Sequence, residues 1–245
     1  MFLAGVQGFT QSYTMPDGSN AAWSELEGYS DIYVGSGNVE SDSYRIADTN
    51  FHLTGGLLSF NTFDHLTLEY NTFQGTGDIL FSNNSIHGMY LTNNVFNIKG
   101  TIEISMTNGS SYVYFDTSVN HFSAGSTILV SNGNAAFRFG EFVLDLDSYF
   151  NDLGPGITQG EWALVSVSSG QLEWSDMDIN TISGSLIQNS ENSNIYTYED
   201  ANGIWTIEIT DNEVILSFNG IPEPAEVAAF IGILALGFAV YRRRK

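Results

Sequence analysis

The chain has 245 residues, of which 13% are aromatic, so it has the length and the apolar content to fold around a core. Residues 1–224 hold 27 acidic and three basic residues (Arg45, Lys99 and Arg138), a net charge of −24, and such a surface argues against nucleic acid as a partner. The absence of cysteine excludes disulfides, thiolate metal sites and a cysteine nucleophile.

The N-terminal segment leaves two interpretations open. Residues 2–6 are apolar, and Val6 and Gly8 fit a signal-peptide cleavage motif, although no basic residue precedes them. On this interpretation residues 1–8 are the remnant of a signal peptide, the natural start lies upstream of Met1, and the exported body spans 9–220. The alternative is an ordinary short strand.

Short runs with a two-residue hydrophobic period begin after residue 50 and predict half-buried strands. The residues expected to share one face within each run are Leu66, Leu68 and Tyr70, then Ile102, Ile104 and Met106, then Phe142, Leu144 and Leu146. No run of comparable quality has a helical period before residue 225, so we expect an all-β body.

A repeat connects several of these runs. Shifting residues 58–80 by 23 positions onto 81–103 aligns seven identical pairs: Ser59/Ser82, Asn61/Asn84, Leu68/Leu91, Asn71/Asn94, Phe73/Phe96, Gly77/Gly100 and Ile79/Ile102. A looser third copy follows Phe122, with Gly125, Ile128 and Val130.

Because one such unit cannot bury its apolar face alone, the repeat predicts stacked coils, and we expect a right-handed parallel β-helix whose repeat is clearest over 58–130. Stacked asparagines would form a side-chain ladder at the turns, and stacked phenylalanines an aromatic column. A β-sandwich whose hairpins resemble one another by chance is the alternative fold.

Residues 203–219 predict a closing β-hairpin at the C-terminal end of the body. Its turn falls at Asp211 and Asn212. The alternating apolar residues of the two strands are Trp205, Ile207, Ile209, Val214, Leu216 and Phe218. Such a hairpin can cover the open edge of a solenoid.

Candidate catalytic residues are scattered. The histidines are His52, His65, His87 and His121; His65 and His87 share nearly the same phase of the repeat, but none has zinc-site spacing, and surface or turn positions are the alternative. Asp64, Glu69 and Glu103 lie on or beside repeat strands, where two carboxylates about 5–10 Å apart can hydrolyse glycosides. Nothing marks a pair, so no catalytic residue is assigned.

One segment begins like a calcium-binding loop. Asp176, Asp178 and Asn180 place oxygens at alternate positions, but Thr181 stands where the loop needs glycine and Ile187 where it needs glutamate. We therefore predict no metal site and no cofactor. Weak calcium binding by the acidic surface remains open.

The C-terminal segment predicts a transmembrane helix over 225–241. Its 17 residues contain one charge, Glu226, and span about 26 Å as a helix, close to the thickness of a bilayer core. The basic stop of Arg242, Arg243, Arg244 and Lys245 follows directly, which predicts a cytoplasmic C-terminus.

The order of Pro222, Glu223 and Pro224, an apolar helix and a basic cluster resembles the PEP-CTERM sorting signal of Gram-negative bacteria, here over 221–245. The resemblance implies export, transient anchoring in the inner membrane, processing by an exosortase-type enzyme, and release to the cell surface or extracellular space. It also implies an association with extracellular polysaccharide and biofilm.

We therefore expect an exported protein of structural or adhesive type rather than an enzyme. Extracellular polysaccharide is the expected partner of the body. The alternative is a carbohydrate-active enzyme, a glycoside hydrolase or polysaccharide lyase, on a β-helix scaffold. An aromatic or carboxylate-lined groove on one face would favour the enzyme, whereas a smooth face covered by asparagine and threonine would favour the structural protein.

Overall fold

The chain is an all-β protein built around a β-solenoid of about five turns, as shown by the computed structural model. The solenoid prediction is confirmed, in preference to the β-sandwich. The structure describes residues 11–220 and Tyr241, with gaps at residues 42–44, 63–65, 84–87, 107–110, 116–118, 139–140, 156, 176–177 and 183. Within these ranges no helix has the length and apolar character that crossing a membrane requires.

The strands stack in parallel into three faces. Face 1 consists of β1 (Ser12–Met15), β3 (Asp31–Val34), the first parts of β6 (Asn50–Thr62), β8 (Thr72–Asn83) and β10 (Val95–Met106), then β12 (Val119–Phe122), β15 (Glu141–Leu144) and β18 (Asp178–Thr181). Face 2 consists of β2 (Ser19–Ala22), β4 (Gly37–Ser41), the second parts of β6, β8 and β10, then β13 (Ser126–Asn132) and β16 (Gln159–Val167). Face 3 consists of β5 (Arg45–Ala47), β7 (Leu66–Glu69), β9 (Met89–Thr92), β11 (Tyr112–Tyr114), β14 (Asn134–Arg138) and β17 (Leu172–Ser175).

Glycines let the long strands pass from face 1 to face 2. Gly75 has a φ of +105°, and a Cβ there would clash with the carbonyl oxygen of Leu53 in the preceding turn of the coil. Gly77 has a φ of +129°, and its Cβ would lie 2.8 Å from the carbonyl oxygen of Gly56. Only glycine fits such a corner without strain.

Aromatic rings form a column inside the coil. Phe51, Phe73, Phe96 and Phe122 stack in successive turns, with ring centroids 5.1, 5.7 and 5.2 Å apart. Trp23 on helix α1 (Trp23–Leu26) lies 6.4 Å from Phe51 and covers the N-terminal end of the column. The predicted aromatic column is confirmed.

Buried asparagines form a ladder at the turn between faces 3 and 1. Oδ1 of Asn94 accepts a hydrogen bond from the backbone N–H of Asn71 at 3.1 Å, and Oδ1 of Asn120 accepts one from Asn94 N–H at the same distance. The three side-chain amides also donate to the carbonyl oxygens of Ile46, Leu68 and Leu91 at 2.8, 2.9 and 3.1 Å. The predicted ladder is confirmed, and it satisfies buried backbone groups at each turn.

The predicted 23-residue alignment of the repeat is correct for only some of the strands. Strands β7–β9 and β8–β10 pair with the predicted shift of 23, so Leu68 lies against Leu91 and Phe73 against Phe96. Between β6 and β8 the shift is 22 residues as far as Thr54, and a bulge reduces it to 21 residues from Leu57 onward. Ser59 and Asn61 therefore pair with Leu80 and Ser82, not with their predicted partners.

Antiparallel strands close the C-terminal end of the coil. They are β19 (Gly184–Ser185), β20 (Ile187–Gln188), β21 (Ile195–Glu199), β22 (Gly203–Ile209) and β23 (Glu213–Gly220). The predicted hairpin is confirmed as β22–β23, its six alternating apolar residues are buried, and β23 pairs with β16 so that the hairpin extends face 2.

Two local predictions are wrong. Leu66 and Leu68 are buried as expected, but Tyr70 is 55% exposed because β7 ends at Glu69 and the chain turns there. The predicted strand over 142–146 ends at Leu144. Helix α2 (Leu146–Leu153) then begins, with the Asp145 carboxylate accepting a hydrogen bond from Ser148 N–H at 3.2 Å.

Several predictions fall on residues that the structure does not describe. They are the N-terminal remnant 1–8, the sorting motif Pro222–Pro224, the basic stop Arg242–Lys245 and the transmembrane helix 225–241 apart from Tyr241.

Candidate functional site

A network of polar side chains crosses three turns on the outer side of face 1. Asp31 on β3 accepts hydrogen bonds from Nδ2 of Asn50 at 3.2 Å and from Nε2 of His52 at 2.9 Å. Nδ1 of His52 lies 3.2 Å from Nε2 of Gln74, and the ring of Tyr33 stacks on the imidazole with centroids 4.4 Å apart. Parallel pairing of β3, β6 and β8 brings these side chains together, since it places Tyr33, His52 and Gln74 in one row.

Hydrogen bonds from neighbouring side chains stabilise the charged form of Asp31. The hydrogen bond from His52 lowers the pKa of Asp31 below its usual value, against the opposing effect of burial, and the hydrogen bonds from Asn50 and Ser30 reinforce it. A neutral His52 satisfies both contacts by donating from Nε2 and accepting at Nδ1. Both ring nitrogens are thus engaged with neighbouring side chains, and the surface offers fixed polar groups rather than an imidazole directed at a nucleophile.

An ion-paired arginine lies at the N-terminal end of face 3. Nε of Arg45 on β5 is 2.6 Å from Oε2 of Glu69 on β7, and Nη2 of Arg45 is 3.9 Å from Oδ2 of Asp48. The hydrogen bond to Glu69 raises the pKa of the Arg45 guanidinium, and the charges of Glu69, Asp48 and Tyr70 act in the same direction. The pair is exposed to water, so it contributes little to stability and instead orients the planar guanidinium.

Tyrosines follow this ion pair along the outer side of face 3. The register places Thr67, Tyr90 and Tyr114 in one row. The rings of Tyr90 and Tyr114 stack with centroids 4.8 Å apart, and Tyr112 lies 5.5 Å from Tyr114. The hydroxyl of Tyr112 donates to Oε1 of Glu173 at 2.7 Å.

Tyr70 lies at the turn that leads from β7 to the asparagine ladder. Its φ is +55°, and the residues at the corresponding turns, Asp48 and Asn93, have φ values of +56° and +54°. The residues directly before Thr49, Asn71 and Asn94 are thus left-handed. Asp and Asn suit that conformation, whereas an aromatic side chain does not.

An open depression of about 410 Å³ lies beside β5. It is lined by Trp23, Glu27, Tyr29, Arg45 and Asp48 among others, where α1 follows β2 in the first turn of the coil. Its volume lies in the range of small-ligand sites.

The structure does not bring the predicted carboxylates together. Glu69 faces Arg45 on face 3, whereas Glu103 lies on face 2, where it pairs with Leu80 and Leu129. Asp64 lies outside the described residues.

The histidines and cations are also dispersed. His121 lies on β12 of face 1, and His65 and His87 are outside the described residues. Nζ of Lys99 is 3.8 Å from Oδ1 of Asp152, and Arg138 lies on β14.

The segment that resembles a calcium loop is not a loop. Asp178 and Asn180 lie on strand β18, which pairs with β15, and Asp176 is outside the described residues. Across the part of the chain that the structure describes, no three histidine or carboxylate side chains are grouped to hold a metal ion.

Sequence reasoning missed Asp31, Gln74 and Tyr90. Asp31 and His52 are 21 residues apart and meet only because their turns stack. Extending the repeat upstream of residue 50, through the apolar pair Ile32 and Phe51, would have indicated this row.

Comparison with known proteins gives no match, whether to a family model, to a curated protein or to a solved structure.

Proposed function

We propose that this chain is an exported cell-surface or extracellular-matrix protein of structural or adhesive type. The observation that carries the proposal is the solenoid itself, whose outer faces present continuous rows of polar and aromatic side chains, as in the row from Tyr33 to Gln74 and the row from Thr67 to Tyr114. Extended concave or flat surfaces of this kind suit long partners. We further propose that the coil is right-handed, because connections between parallel strands almost always are.

In this proposal residues 221–245 are the sorting signal that directs export and membrane anchoring. The body is strongly acidic and the tail ends in four basic residues, which supports an outside body and a cytoplasmic C-terminus while the helix spans the inner membrane. Pro222, Glu223 and Pro224 would be read by an exosortase-type enzyme, after which the body reaches the cell surface or the extracellular space.

The partner that we propose for the body is extracellular polysaccharide. The acid excess of residues 1–224 repels nucleic acids and other polyanions, whereas hydroxyl-rich neutral chains carry no charge to be repelled. Amide, carboxylate and tyrosine side chains on faces 1 and 3 supply hydrogen-bonding groups for such chains.

Fractionation of cells that possess an exosortase tests the route. Deleting residues 222–245 is expected to move the protein out of the membrane fraction. The matched control, Pro222→Ala with Pro224→Ala, keeps the apolar helix and the basic stop, and is expected to remain in the membrane fraction unprocessed.

Two results would contradict the proposed route. One is retention of the truncated chain in the membrane fraction. The other is processing of the double variant at the wild-type rate. Turnover of a glycan by the purified protein would instead contradict the structural or adhesive function.

A further inference from the structure

The conformation of Tyr70 is unfavourable for its side chain. A left-handed backbone costs an ordinary residue free energy that Asn or Gly largely avoids, and Asn93 occupies the corresponding position one turn later. The Tyr70 side chain does not recover this cost by burial, because 55% of it is exposed. Exposed residues that break a local backbone rule in this way concentrate at functional sites.

The ring of Tyr90 offers a second aromatic surface nearby. Tyr114 covers one face of this ring, with the planes 17° apart. In the same row Tyr90 pairs with Thr67, whose side chain is much smaller, and Tyr90 is 38% exposed. Beyond Thr67 in the same row is Arg45.

Tyr70 and Tyr90 lie within reach of one ligand. Tyr70 is three residues beyond Thr67, which pairs with Tyr90. With a rise of about 3.3 Å per residue along a strand and a spacing of about 4.8 Å between strands, the Cα atoms of Tyr70 and Tyr90 are about 11 Å apart. Arg45 and Glu69 lie at the edge of this span with their hydrogen-bonding groups held by the ion pair. The depression beside Arg45 gives a longer chain room to continue.

From these observations we infer that the Tyr70–Tyr90 surface, which consists of Arg45, Thr67, Glu69, Tyr70 and Tyr90, binds a neutral polysaccharide. The inference rests on the proposed adhesive function and assigns it a site. The negatively charged faces of aromatic rings attract the polarised C–H groups of a sugar ring, while the ion pair hydrogen-bonds its hydroxyls.

Charge selects the ligand class. Glu69 and Asp48 together outweigh Arg45, so the surface does not attract acidic sugars, and the acid excess of the body repels the phosphates of nucleic acids that could otherwise stack on tyrosine. A neutral chain with alternating apolar ring faces and hydroxyl edges is the ligand that remains compatible.

Titration calorimetry on the full-length chain tests the site, with neutral gluco- and manno-oligosaccharides of four to six residues and with polygalacturonate as the acidic comparison. Tyr70→Asn and Tyr90→Ala are each expected to raise the Kd for the neutral ligand about tenfold or more. The matched control is Phe150→Ala on helix α2, since Phe150 is 39% exposed, lies on none of the proposed binding rows and should leave the Kd unchanged.

Thermal unfolding separates binding from folding. Asn suits the left-handed turn better than Tyr, so Tyr70→Asn is expected to keep the Tm or raise it by about 2–4 °C while binding is lost. A merely structural role for Tyr70 would not produce this combination.

The possible results of these experiments distinguish the inferred binding site from the proposed adhesive function. If the wild type binds neutral glycans and both variants bind equally well, the site is wrong and the adhesive function stands. If the wild type binds none of the neutral glycans, or binds polygalacturonate more tightly than the neutral glycans, the inferred site is wrong. The fractionation experiment tests the proposed export route independently of this result. If the wild type cleaves a glycan, the proposed adhesive function is wrong. In that case a raised KM and an unchanged kcat for Tyr70→Asn would still support the binding site.

Discussion

Replacing Asn94 by alanine is expected to destabilise the solenoid by roughly 3–5 kcal/mol. The Asn94 side chain is fully buried and hydrogen-bonds to the turns on both sides, through Asn71 and Asn120. Its Oδ1 accepts from the backbone N–H of Asn71 at 3.1 Å, and its Nδ2 donates to the carbonyl oxygen of Leu68 at 2.9 Å.

The magnitude follows from the groups left behind. Without Asn94 Oδ1, the buried N–H of Asn71 loses its partner, which costs about 1–3 kcal/mol. The carbonyl of Leu68 loses one hydrogen bond, worth about 1 kcal/mol, and the small cavity adds about 1 kcal/mol more. Nδ2 of Asn71 keeps its hydrogen bond to Ile46, so it adds no cost.

Urea unfolding followed by tryptophan fluorescence and far-ultraviolet circular dichroism measures the change. Agreement of the two signals tests whether the coil unfolds as one unit, since stacked turns contact only their neighbours. Asn97→Ala is the matched control, because Asn97 lies only three residues further on, on strand β10, and is exposed, and its effect should stay within about 0.5 kcal/mol. Equal losses for the two variants would refute the structural role of the ladder.

Three further substitutions test buried and partly buried polar groups. Tyr149 is fully buried, its hydroxyl has no hydrogen-bond partner among the described residues, and burial raises its pKa, so Tyr149→Phe is expected to stabilise the protein by about 1 kcal/mol in urea unfolding. Tyr196→Phe should do the reverse, since the Tyr196 hydroxyl accepts hydrogen bonds from Trp174 and Gln188, and stabilisation by both variants would refute this assignment. The lowered pKa of Asp31 means that its contribution to stability is present above the ordinary value of 3.8 and is lost as the pH falls through the folded-state pKa. Asp31→Asn is therefore expected to unfold more readily than the wild type at pH 5–7, with the gap closing below about pH 4; a gap that persists at pH 2 would contradict the role of the Asp31–His52 hydrogen bond.

Residues whose position depends on a local period were predicted well. Ile102, Ile104 and Met106 face the core because a strand alternates its side chains whatever lies around it. The pairs Asn71/Asn94 and Phe73/Phe96 were found because stacked turns of equal length repeat the same environment at the same spacing.

Residues whose position depends on the exact length of a turn were predicted poorly. Ser59 and Asn61 were assigned the wrong partners because this turn of the coil repeats after 22 residues rather than 23, and a bulge in β6 shortens the shift by one more. Leu146 was placed on a strand although Asp145 and Ser148, three residues apart, form a helix N-cap that the sequence already contained.

The amino-acid sequence by itself determined that the body is a stacked β structure with a ladder of asparagines and a column of phenylalanines, because these follow from local alternation and repetition. It also carries the whole argument for the sorting signal. Only the tertiary structure decided which outer residues meet: Asp31 with His52, Arg45 with Glu69, and Tyr70 exposed beside them rather than buried. The physical reason is that neighbours on the outside of a coil are about one turn apart in sequence, so a shift of one or two residues in a turn changes every pair that follows.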